Sequence, residues 1–109
     1  MDVKGAVDAL SALAQESRLA VFRLLVRRGP AGLPAGEISE RVGVPPTTLS
    51  FHLSHLSRAG LVSSRRAGRS ILYAASFAGM QELMSFLLEN CCQEDGGCAT
   101  PETKRGRRR

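Results

Sequence analysis

Between residues 46 and 75 the chain changes its repeat, and this change constrains the fold more than any other feature. In "PTTLSFHLSHLSRA" (46–59), Leu49, Leu53 and Leu56 recur at i, i+4 and i+7 and share one side of a helix that Gly60 ends. From residue 61 the period shortens. "LVSSRR" and "SILYA" read as two short strands around an "AGR" tip containing Gly68. A helix that runs straight into a hairpin leaves its leucine face to be covered by whatever precedes it.

What precedes it is helical. "AGEISERVG" (35–43) makes a short helix with Ile38 and Val42 inward and Gly43 as its stop, and "VPP" turns the chain into the next helix. Two helices joined by so short a turn form a helix-turn-helix pattern. Residues 5–14 place Ala6, Val7, Leu10, Leu13 and Ala14 on one face. Residues 16–28 follow with a stripe of Leu19, Phe22 and Val26, widened by Leu25, and "RRGPAGLP" stops them at Gly29 and Pro30. After the hairpin, Ser76 caps a last helix over 77–90, whose apolar positions are Phe77, Met80, Leu83, Met84, Leu87 and Leu88. That stripe is wide enough to pack on its own domain and on a partner.

The expected fold is mainly α with a β-hairpin wing, a winged helix-turn-helix. Residues 1–90 form the DNA-binding and dimerisation domain; residues 91–109 form a cysteine-containing segment and a basic, disordered tail. At 109 residues this is one domain. A core this small gains from burying further surface in a homodimer. No apolar run is long enough to span a bilayer, and residues 1–19 lack a signal-peptide pattern, so a cytoplasmic protein with no membrane partner is expected.

Charge sharpens the reading. No acid lies between Glu40 and Glu82, whereas Arg41, Arg58, Arg65, Arg66 and Arg69 do. Such a positive strip is the electrostatic footprint of a nucleic-acid binder, or else a solvated face. With about 100° per residue and Leu49 as origin, the three leucines stay within about 40°, while Thr47, Phe51, Ser54 and Arg58 fall about 140–200° away. Thr48, Ser50 and His55 complete that outer surface. Hydroxyls reach base edges or phosphates, and an apolar ring touches a thymine methyl. Arg65, Arg66 and Arg69 on the hairpin add phosphate or minor-groove contacts. Double-stranded DNA is the partner this surface suits. Phe51 either faces bases or packs on the preceding helix. His52, beside the leucine stripe, suits a partly buried structural role better than metal ligation. The basic end, Lys104 to Arg109, either adds nonspecific DNA affinity or only solubilises.

Two stretches carry a family resemblance. "LSALAQESRLAVFRLL" (10–25) resembles the opening signature of the ArsR/SmtB metal-responsive repressors, and "TTLSFHLSHLSRAGLVSSRRAGRSILYA" (47–74) resembles their recognition helix and wing. The resemblance spans about residues 5–90. It implies a homodimer built from the first and last helices and bound to a near-palindromic operator as a repressor. Val7, Leu10, Met80, Leu83, Met84 and Leu87 are then candidates for the dimer seam, with the intradomain core as the alternative place for each.

All three cysteines fall in "NCCQEDGGC" (90–98). In a reducing compartment, clustered thiols suit ligands or sensors better than staples. Cys91, Cys92 and Cys98 offer no fourth strong ligand for a closed zinc tetrahedron. Soft thiolates select soft acceptors. Trivalent arsenic makes three bonds, and Gly96 and Gly97 let Cys98 bend back to supply the third sulfur. The spacing resembles a C-terminal arsenite site in one branch of the ArsR repressors, which implies As(III) as effector, and Sb(III) by the same valence. Cadmium, lead and bismuth are other soft ions these sulfurs would accept. A redox switch is the competing reading, although Glu89, Glu94, Asp95 and a helix C-terminus disfavour thiolate there. A thiol oxidoreductase would need a nucleophile in an anion-binding loop or a C-x-x-C before a helix, and neither pattern occurs. No catalytic residue, catalytic cofactor or protein substrate is expected.

Overall fold

A computed structural model describes residues 1–95. In chain order the elements are α1 (Val3–Leu13), α2 (Glu16–Arg28), β1 (Leu33–Pro34), α3 (Ala35–Val42), α4 (Pro46–Arg58), β2 (Val62–Ala67), β3 (Ser70–Ala75) and α5 (Phe77–Leu87), with a final 3-10 turn at Gln93–Asp95. Side chains cap three of the helices. Asp2 accepts from the Gly5 N–H at 2.8 Å, Gln15 from Arg18 at 2.9 Å, and Ser76 from Gly79 at 3.1 Å. Pro46 opens α4, where its missing N–H costs nothing. The α3–α4 turn is closed by Gly43 in the left-handed region and by the Ser39 hydroxyl donating to the Val44 carbonyl.

The hairpin is the expected wing. Val62 pairs with Ala75 and Ala67 with Ser70, leaving Gly68 and Arg69 as the two-residue turn. Gly68 has φ +64° and Arg69 does not share that sign, which is the first-position glycine of a II′ hairpin. A third strand was not expected. The sequence marks "RRGPAGLP" only as the stop of α2, but β1 pairs antiparallel to β3, with Leu33 opposite Tyr73, giving the order β1-β3-β2. Two residues are too few to show a period.

One core joins the helices to the sheet, and Leu25, Leu33, Ile38, Leu49, Leu56 and Leu61 are fully buried. The inward faces of α3 and α4 are as expected for Ile38, Leu49, Leu53 and Leu56. Two other faces need correction. In α1 the buried residues are Ala6, Ala9 and Ala12, while Val7, Leu10 and Ala14 are exposed. Small alanines let α1 lie close against its neighbours; Val7 and Leu10 turn outward, while Leu13 packs partly buried against the core as expected. In α2 the buried residues are Val21, Phe22, Leu24 and Leu25, while Leu19 and Val26 are exposed. This helix packs on α1, α3, α4 and β3 together, so a wider arc is covered than one stripe implies. The last helix ends at Leu87, earlier than residue 90, and turns follow it. Among the described residues no helix is long and apolar enough to cross a membrane.

Candidate nucleic-acid interface and thiol site

Burial of Leu49, Leu53 and Leu56 fixes the rotation of α4 and turns its other side to solvent. Thr47, Thr48, Ser50, Phe51, Ser54 and Arg58 are all exposed there, and His55 is half-buried. Phe51 is 75% exposed, so packing on α3 does not account for it. Arg58 donates to the Ser54 hydroxyl at 2.9 Å, which holds the guanidinium along the helix surface. At the wing, Arg66 and Arg69 are exposed. Arg65 is engaged inside the subunit instead, donating to the carbonyls of Pro30 and Ala31 at 3.0 and 3.1 Å. It fastens the α2–β1 loop to the hairpin. The ion pairs among the described residues are Lys4–Asp8 and Arg41–Glu37, so Arg58, Arg66 and Arg69 keep their positive charge unneutralised by an acid.

Between α4 and the hairpin runs a cleft of about 310 Å³, bordered by the hydroxyl side chains of Ser50, Ser54, Ser57, Ser64 and Tyr73. Ser57, Ser64 and Tyr73 were not among the expected contacts. Ser64 and Tyr73 face each other only through the strand register, and Ser57 joins them only through the docking of the hairpin on α4. Helical spacing carries neither signal.

His52 lies on the inner flank of α4, half-buried, with Nδ1 3.4 Å from an Arg18 guanidinium nitrogen. Burial, then the charge of Arg18, then His55, hold its pKa below the usual 6.5. The ring is therefore neutral at neutral pH.

The seam candidates separate into two groups. Val7, Leu10, Met84 and Leu87 are exposed on two helices that pack against each other; Val3 and Phe77 are exposed on the same pair, and Leu88 directly after α5. Leu83 is a correction: at 3% exposure it belongs to the core of its own subunit. Met80 packs half-buried against the same core. On α5, Leu83 is buried, whereas Met84 and Leu87, one and four residues further on, are exposed.

Beyond α5, Asn90 and Cys92 both take φ +61°, uncommon for residues with side chains. The chain thus turns at once, and the exposed sulfurs of Cys91 and Cys92 stand 3.3 Å apart. Two thiols this close can act on one soft acceptor. Cys98 and the basic tail lie outside the described residues, and among those described no group of three His, Cys, Asp or Glu gathers as a metal site.

A family model described as a helix-turn-helix domain matches residues 13–65. The transcriptional activator HlyU of Vibrio cholerae is 33% identical over 88 residues, covering 81% of this chain and 79% of that protein. An ArsR-like transcriptional regulator from Rhodococcus sp. RHA1 superposes with a TM-score of 0.75 at 27% identity, covering 85% of each chain. A homodimeric winged helix-turn-helix domain from Mycobacterium bovis shares the fold, with a TM-score of 0.66 at 21% identity and coverage of 90% of this chain and 89% of that one.

Proposed function

Because this chain belongs to the ArsR/SmtB family of winged helix-turn-helix transcriptional regulators, we propose that it is a homodimeric repressor released from operator DNA by As(III). Sb(III) acts in the same way. The observation that carries the DNA half is the outer face of α4, where Thr47, Ser50, Phe51 and Ser54 stand clear of the core beside uncompensated Arg58, Arg66 and Arg69. Hydroxyls and an exposed ring suit base edges in the major groove, and the arginines suit flanking phosphates. Two copies joined through α1 and α5 carry two such helices, with half-sites about one DNA turn apart.

The effector half rests on Cys91 and Cys92, whose sulfurs stand 3.3 Å apart just beyond α5. With Cys98 as the third donor, the sulfurs would gather on one trivalent ion and draw in the chain that follows a seam helix. A shift of that helix changes the spacing of the two reading heads. Release is then a coupling between sites, typically about 1–3 kcal/mol.

The test is a titration of protein bound to a fragment of its own promoter with arsenite, antimonite, zinc and peroxide side by side. Arsenite and antimonite should release the DNA. Cys92→Ser should bind the fragment normally and resist release, since one of the paired sulfurs is gone. Normal release of that variant overturns the thiol assignment. Release by peroxide alone replaces it with a redox switch. HlyU is named an activator, so a promoter-reporter assay fixes the sign of regulation here.

A further inference from the structure

Arg18 occupies the first turn of α2, where its backbone N–H is bonded to the Gln15 cap. Its side chain turns back across two other helices. Nε donates to the Ala12 carbonyl in the last turn of α1 at 2.7 Å, and one terminal nitrogen lies 3.4 Å from His52 Nδ1 on α4. One guanidinium thus touches both a helix of the apolar seam face and the helix that presents Phe51 and Ser54. A guanidinium is donor-only, so this contact requires an unprotonated Nδ1, with the ring proton on Nε2.

We propose that Arg18 is a positioning residue that couples α1 to the DNA-reading helix, and that protonating His52 releases the coupling. This rests on the reading of α4 as the helix that contacts DNA. An imidazolium offers no acceptor at Nδ1 and sets like charge against the guanidinium. The α4 end of the link then opens while the Ala12 carbonyl stays bonded to Arg18. With its leucine face still seated in the core, α4 loses one polar restraint on its position against α1, and operator affinity falls.

The other charged groups around α4 do not supply this switch. Arg18 from α2 and His55 from α4 itself are the charged or titratable groups acting on His52. On α1, Asp8 pairs with Lys4; on α3, Glu37 pairs with Arg41 and Glu40 is exposed; on β2, Arg65 is held by loop carbonyls and Arg66 is exposed. His55 borders the outer surface rather than the Arg18 contact, and the experiment removes it.

The experiment measures binding to the promoter fragment at constant ionic strength from about pH 7.5 to about pH 5.5, the range in which histidines change charge. Every variant carries His55→Asn, which leaves His52 as the remaining histidine of the two in the chain, and the wild-type protein is measured beside them. In this background affinity should fall about tenfold towards acid, the size expected for groups in one network. Adding His52→Asn, which keeps a side-chain acceptor but cannot titrate, should flatten the profile. Adding Arg18→Gln instead should lower affinity at the neutral end by about tenfold, with Arg18→Lys recovering part of it. Circular dichroism and sedimentation confirm fold and assembly. If Arg18→Gln does not fold, the His52→Asn profile decides alone. An acid loss that persists in His52→Asn, or an Arg18→Gln profile identical to its parent, overturns the proposal while DNA reading stands. No binding by the wild-type protein at any pH overturns the DNA reading and the coupling with it.

Discussion

Phe51 and His52 are neighbours with opposite situations, and each gives a prediction. Phe51 has no place in the core, so Phe51→Ala should leave stability within about 0.5 kcal/mol, as exposed substitutions do. Promoter affinity should fall by up to about 1.5–3 kcal/mol, the value of burying such a ring against a base. Thermal melting and anisotropy on the same sample separate the two effects. A large fall in melting temperature would return Phe51 to a packing role. His52 is held below its usual 6.5 in the folded chain. As pH falls through about 6.5, the unfolded chain takes up the proton first, so stability drops with acid and levels once the folded ring also protonates. Above that range its effect on the pH slope vanishes. Melting temperature followed against pH should show this slope in the wild type and lose part of it in His52→Asn. Most of the outer-face residues were legible in the sequence because a helix with three inward leucines has only one outward side. The partner of Arg65 was not, since the Pro30 and Ala31 carbonyls lie 34 to 35 residues away and only the fold brings them near.

At the scale of elements, the junction of α4, the hairpin and α5 depends on Gly79. A Cβ there would lie 1.9 Å from the Gly60 carbonyl oxygen, a backbone atom that cannot swing aside. Alanine would otherwise favour a helix by up to about 1 kcal/mol over glycine. The clash is the larger effect, since overpacking costs typically about 1–3 kcal/mol. Gly79→Ala should therefore destabilise the fold, read as a lower denaturation midpoint at unchanged slope. An unchanged or raised midpoint would mean that α5 does not seat on Gly60 as described. The identity of α3, α4 and the hairpin was plain from caps, stops and period. The short β1 was invisible, because a two-residue strand exists only by virtue of its pairing with β3. The end of α5 was placed late because Leu88 continues the apolar pattern beyond the last helical residue.

At the scale of the molecule, apolar side chains on α1 and α5 remain uncovered in one copy, Val3, Val7, Leu10, Phe77, Met84 and Leu87 among them, with Leu88 just beyond. A two-fold interface presents each substitution twice. Leu87→Glu should therefore shift sedimentation from dimer to monomer and abolish binding to a two-half-site fragment, with the helical spectrum retained. A variant that stays dimeric would place the seam elsewhere. What the sequence alone determined is the reading head: its leucine period, its glycine and proline stops and its hairpin are local signals, and local signals survive without a fold. What only the tertiary structure decided is which face of α1, α2 and α5 looks inward. On those helices apolar residues occupy both sides, so composition is the same either way, and the choice between core and seam is made by the neighbours that each helix meets.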